Sequence, residues 1–156
     1  MVSHLSTDAA RRIAEAVPDP EVPVLTLGDL GIIRAVALSE TGVDVTITPT
    51  YSGCPAMNAI GMDISLALGE AGYGAVRIKT VLSPAWSTDW ISAEGHAKLK
   101  AFGIAPPHPR GTDLPVVCPH CGSASTSEIA HFGSTACKAL WRCNTCREPF
   151  DHFKCH

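Results

Sequence analysis

The sequence predicts an α+β body, a small mixed sheet with helices packed on one face, followed by a C-terminal mini-domain stapled by metal. Three observations predict it. Residues 43–48 alternate, with Val43, Val45 and Ile47 on one side and Asp44, Thr46 and Thr48 on the other, the period of a half-buried strand. Met57, Ile60, Ile64, Ala67 and Leu68 recur at helical spacing. Two Cys-x-x-Cys pairs stand in a tail with little aliphatic core.

In chain order, Ser6 or Thr7 caps a first helix whose modest apolar face is Ala9, Ala10, Ile13, Ala14, Ala16 and Val17, and Pro18 stops it. Asp19-Pro-Glu-Val-Pro23 is a turn stiffened by two prolines, which hold Asp19 and Glu21 in place; a solvated turn is the plain alternative. Leu27, Leu30 and Gly31 lead into a strand over 32–38. Glu40-Thr-Gly42 turns the chain into the alternating strand 43–48. A third strand covers 75–82. Strand, helix, strand calls for a crossover, so the second and third strands lie parallel in one sheet.

Between strand and central helix lies Pro49-Thr-Tyr-Ser-Gly-Cys-Pro55. Proline suits the first helical position, which places Cys54 at the N-cap. Unpaired N–H groups and the positive helix end there favour the thiolate, so its pKa is expected below the usual value of about 8.5. Cys54 is thus the candidate reactive or cluster-carrying thiol, with a buried helix-end cysteine as the alternative.

Ser83-Pro-Ala-Trp-Ser-Thr-Asp-Trp-Ile91 is a loop whose tryptophans either cover a cleft or pack on the core. Ser92 opens a last helix to about Gly103, with His96 on it as a solvated residue. The body is therefore assigned to residues 1–105, a semi-rigid proline-rich linker to 106–114, and the mini-domain to 115–156.

The tail holds six of the seven cysteines and cannot bury enough apolar surface to fold unaided. Cys118-Pro-His-Cys121 and Cys143-Asn-Thr-Cys146, 21 residues apart, supply two knuckles of a closed tetrahedral site, a structural zinc ribbon. Cys-Pro-His-Cys also occurs in thiol oxidases, but the strand before and long helix after are missing here. No His-x-Glu element of a zinc deaminase precedes the pairs. Cys137, Cys155 and His156 remain. An iron–sulfur cluster using Cys137 or Cys155 is the alternative to zinc, and burial against the ribbon the plain reading.

Composition is globular, with 46% apolar and 17% charged residues. No apolar run is long enough to span a bilayer and the start lacks a signal-peptide pattern, so the expected home is a reducing cytoplasm, where cysteines serve as ligands or reactive thiols. Net charge is −3, with −4 over 1–105 and +1 over 115–156, and no basic face draws nucleic acid or anionic membrane.

Several of these stretches carry a resemblance. Asp-Pro-Glu-Val-Pro at 19–23, Leu-Gly-Asp-Leu-Gly-Ile at 27–32, Thr-Pro-Thr-Tyr-Ser-Gly-Cys-Pro at 48–55 and Ser-Pro-Ala-Trp at 83–86 resemble the SufT-like iron–sulfur assembly family. The tail runs at 132–143 and 148–156 are similar to its phenylacetate-degradation branch, which is expected to carry tyrosine where Trp141 stands. The resemblance implies an accessory factor of the phenylacetyl-CoA epoxidase system in aerobic aromatic-compound degradation, not its catalytic subunit. It would assist assembly or delivery of an iron–sulfur cluster to the 2Fe–2S reductase component. The family's reactive cysteine maps to Cys54, and its acidic turn to Asp19 and Glu21 as acids of the same pocket. A homodimer is the family-based expectation. The other reading is a subunit of the epoxidase complex with thiol-based chemistry at Cys54, for which a base such as His96 would be needed.

Overall fold

The computed structural model describes residues 5–51 and 53–154, and the alternatives placed on Cys155 and His156, like Ser52 of the central loop, lie outside them. The chain packs as two compact units, Met1–Trp86 and Ser87–His156. No described helix is long and apolar enough to cross a membrane.

The first unit begins with α1, Thr7–Glu15, whose N-cap Ser6 accepts the Ala9 N–H at 3.0 Å. Ala10 and Ala14 are fully buried, so the small residues of the helix are its packing face. A bridge between Pro18 and Thr26 closes the acidic turn at its base. Thr26 then forms a reciprocal capping box with Asp29 and starts α2, Leu27–Leu30, a single turn of helix. The sequence leads straight to a strand at this point. The capping pattern Thr-x-x-Asp is the local signal that competes with that strand, and it wins. The expected strand over 32–38 begins one residue later.

β1, Ile33–Leu38, pairs antiparallel with β2, Gly42–Ile47, and β2 pairs parallel with β3, Ala75–Thr80, giving the order β1-β2-β3. Gly42 is required at the start of β2, because a Cβ there would stand 1.8 Å from the Ala75 carbonyl oxygen. α3, Met57–Glu70, is the crossover between the parallel strands. It packs on β3 and α1, and α1 packs on β1. Val43, Val45 and Ile47 from the sheet and Ile60, Ile64 and Leu68 from α3 form the core. Each such side chain contributes on the order of 1.5–3 kcal/mol by leaving water. Trp86 is packed into this unit: it is buried, and its indole N–H donates to the Leu30 carbonyl at 2.7 Å.

In the second unit, α4, Ala93–Ala101, is capped by Ser92. It runs into β4, Ile104–Ala105, which pairs parallel with β7, Pro149–Phe153. β5, Thr126–Ala130, and β6, Lys138–Cys143, complete an antiparallel ribbon, and the sheet order is β4-β7-β6-β5. Packing therefore divides the chain at Trp86, whereas composition changes at 106–114. Ala105, Cys118, Cys143 and Phe150 form the ribbon's small core, with Val116, Trp141 and Cys146 against it. The indole N–H of Trp141 is buried with no hydrogen-bond partner among the described residues.

Candidate functional site

Strand β2 delivers the chain to the central loop at a fixed point. Thr48 is buried, its N–H donates to the Ile32 carbonyl at 3.0 Å, and its hydroxyl donates to the Val81 carbonyl at 2.7 Å. From there the loop turns, with the Cys54 N–H donating to the Tyr51 carbonyl at 3.3 Å and the Met57 N–H to the Cys54 carbonyl at 3.5 Å. Cys54 is not the helix cap. The N-cap is Ala56, which offers no side-chain hydrogen bond, and Pro55 belongs to the turn before it. The sequence expectation of a dipole-lowered thiol fails with that geometry. Cys54 is half-buried, and burial pushes its pKa above the ordinary thiol value. The Ala56 N–H and the Tyr51 hydroxyl, both donating to the sulfur, pull the other way, while the carboxylates of Glu21 and Asp19 add to the rise.

The acidic turn and the cysteine loop are therefore in one electrostatic neighbourhood, although 33 positions separate Glu21 from Cys54. The turn is itself ordered. Asp19 is 8% exposed, and its Oδ1 accepts the N–H of Glu21 at 2.7 Å and of Val22 at 3.4 Å. Asp19 thus holds the backbone that presents Glu21. Tyr51 is the contributor that sequence reasoning missed. Its position three residues before the cysteine, across one turn, was the available signal. Beside this loop lies a cleft of about 170 Å³ lined by Thr48, Pro49, Thr50, Tyr51, Leu82, Ala85 and Trp86.

In the second unit, the sulfurs of Cys118, Cys121, Cys143 and Cys146 all lie within 4.8 Å of one another, the one such group of ligand atoms among the described residues. The Cys118–Cys146 and Cys121–Cys143 separations are 3.8 and 3.5 Å. Tetrahedral zinc with bonds of about 2.3 Å needs sulfurs about 3.8 Å apart, so the donor set and spacing fit that ion. The two knuckles repeat one backbone design. The N–H of Cys118 donates to the Ser123 carbonyl at 2.9 Å, as that of Cys143 does to Glu148 at 3.0 Å. The His120 and Cys146 N–H groups each donate to a knuckle sulfur at 3.4 Å. Gly122 and Arg147, each four residues past its knuckle's first cysteine, have φ of 79° and 67°. The N–H of Cys146 is the main reason the Cys143 thiol is lowered to about 6, the ionisation a metal requires. Cys137 is buried outside the four-sulfur group, its sulfur 2.9 Å from the Thr135 hydroxyl.

Two family models match the chain. Residues 8–80 match the iron–sulfur cluster assembly protein family, and residues 105–154 match the PaaD zinc beta ribbon domain. The chain is 48% identical over 143 residues to an Escherichia coli K12 protein named as a component of 1,2-phenylacetyl-CoA epoxidase, covering 89% of this chain and 87% of that one. It is 36% identical over 90 residues to an Fe–S protein maturation auxiliary factor of Porphyromonas gingivalis, covering 56% of this chain and 85% of the relative. Among solved structures, a domain of unknown function from Bacillus anthracis aligns with a TM-score of 0.55 and 26% identity, covering 60% of this chain and 90% of that one.

Proposed function

This chain, an iron–sulfur assembly domain followed by a PaaD ribbon, belongs to the PaaD family, and from that premise we propose that it is a maturation factor of a phenylacetyl-CoA epoxidase system. In this reading the cargo is ferrous iron or an iron–sulfur cluster, taken up at Cys54 and delivered to the system's 2Fe–2S reductase. Zinc on Cys118, Cys121, Cys143 and Cys146 has a structural role and stabilises the ribbon, with no part in the transfer.

One observation carries the reading: the Cys54 thiol shares its surroundings with the carboxylates of Glu21 and Asp19. Anions that oppose ionisation of a thiol favour a cation bound to it. Iron arriving at this site displaces the thiol proton, and the two carboxylates then stabilise the charge that the metal brings. The Tyr51 hydroxyl and the Ala56 N–H, which donate to the sulfur, orient it toward the incoming ion. A thiol kept protonated is a poor nucleophile, and no histidine is among the groups acting on it, which favours a ligand over a catalyst.

The test is co-expression of the 2Fe–2S reductase with the wild-type chain or with Cys54→Ser. The reductase should emerge with depleted cluster from the variant strain, read from its visible absorption and iron content. Full cluster loading beside Cys54→Ser removes this residue from the mechanism.

A further inference from the structure

β3 is an edge strand, and it alternates in chemistry as well as in direction. The Ala75 N–H donates to the Thr41 carbonyl and the Val81 N–H to the Ile47 carbonyl, so the odd positions of β3 face β2. The N–H and C=O groups of Val76, Ile78 and Thr80 therefore point away from the sheet, and no described residue pairs with them. A row of open main-chain groups is a template for an added strand.

Beside that edge, on the helix side of the sheet, is a groove of about 740 Å³ between α3 and β3. Met57, Gly61, Met62 and Leu66 line it from the helix, and Ile78 and Thr80 from the strand. Met62 is 72% exposed and Leu66 62%, large apolar side chains that no described residue covers. Gly61 keeps the groove deep, since a Cβ there would rest 3.7 Å from the Ile78 side chain. Asp63 also lines this side and disfavours an acidic side chain in the groove. On the opposite face of β3 stand Arg77 and Lys79. Arg77 is held by Asp44 of β2, while Lys79 has no ion-pair partner among the described residues.

A second copy of this chain does not suit the edge. The antiparallel two-fold pairings of β3 with itself that overlap the most strand, centred on Arg77 or on Ile78, set Arg77 opposite Arg77 or Lys79, a like-charge cross-strand pair. We propose that this edge and groove dock an extended segment of another protein in which apolar residues alternate with acidic ones. Its apolar side chains fill the space beside Ile78, Met62 and Leu66, its carboxylates meet Lys79, and its main chain pairs with Val76, Ile78 and Thr80. The proposal does not depend on what Cys54 carries.

The probe is a capped seven-residue peptide of alternating valine and glutamate, with valine–lysine as its counterpart, titrated into the zinc-loaded full chain. Hydrogen exchange and NMR shifts of the amides of Val76, Ile78 and Thr80 are the readout. Exchange at these three amides should slow with the glutamate peptide, which binds at least tenfold more tightly than the lysine peptide. Lys79→Glu should reverse that preference, and the exposed pair Met62→Asp with Leu66→Asp should abolish binding while the amide spectrum elsewhere stays unchanged. Equal binding of both peptides, or binding that leaves the three amides unprotected, overturns the proposal. So does protection that rises with protein concentration alone, which would assign the edge to self-association.

Discussion

Around Cys143 the N–H groups of Cys146 and Thr145 converge on the sulfur and draw its pKa down to about 6. Around Cys54, burial and the nearby carboxylates of Glu21 and Asp19 hold the thiol above its ordinary value. One chain thus prepares its cysteines for two ends. In the tail Cys143 is ready to ionise while Cys146 beside it is pushed up to about 12, and the four sulfurs together can close on a metal with every position filled by protein. The loop of the first unit offers one sulfur, which in the proposed function stays protonated until a cation displaces the proton. Affinity in the tail is spent on folding, whereas at Cys54 a lone ligand leaves room for exchange.

That contrast can be broken most severely at the tail. Cys143→Ser, or exhaustive chelation, should unfold the ribbon, since structural zinc supplies on the order of 10–16 kcal/mol in small zinc domains. The amides of β5, β6 and β7 should lose their exchange protection while α3 and β2 keep theirs. A ribbon that survives without metal would mean that its four-residue core suffices. The first unit answers to its own packing. Ile64→Ala, at a fully buried α3 position, should cost about 2–5 kcal/mol in denaturant unfolding of that unit and leave the metal content of the tail unchanged.

Much of this was legible in the chain. The alternation at 43–47 pointed to β2, the helical spacing at 57–68 to α3, and the paired cysteines to a sulfur cluster, because each signal is local and repeats. What escaped was either short or long-range. α2 is four residues long and announces itself only through Thr26 and Asp29. β4 is two residues whose strand character exists because β7 lies beside them, 47 positions away. The thiol of Cys54 was misjudged for a related reason. Pro55 can stand in a turn as well as at the first helical position, and here α3 starts two residues later, at Met57. The placement of Glu21 near the sulfur, which no spacing rule encodes, then adds to the upward shift that burial causes.

Smaller effects sharpen the comparison at Cys54. Because this thiol titrates above its unfolded value, the stabilisation from keeping it protonated is complete below the usual thiol pKa and is lost as pH rises through the folded value. Alkylation of Cys54 by iodoacetamide should accordingly turn on at higher pH than that of a model thiol. Glu21→Gln should move that midpoint down, and Asp19→Asn should move it down less. Tyr51→Phe removes a donor to the sulfur and should move the midpoint up. A thiol indifferent to all three changes would not share a pocket with the acids. The smallest expected effect is at Trp141, where Trp141→Phe deletes the buried, unpartnered indole N–H; the change should be neutral or stabilise the ribbon by up to about 1 kcal/mol.

The most direct measurement is metal analysis of the wild-type chain and Cys54→Ser after anaerobic incubation with ferrous iron and sulfide, followed by desalting and absorption spectroscopy. Both should retain one equivalent of zinc, and the wild type alone should retain iron with visible absorption. Equal iron in the two, or iron that displaces the zinc, would contradict the assignment of cargo to Cys54 and structure to the tail.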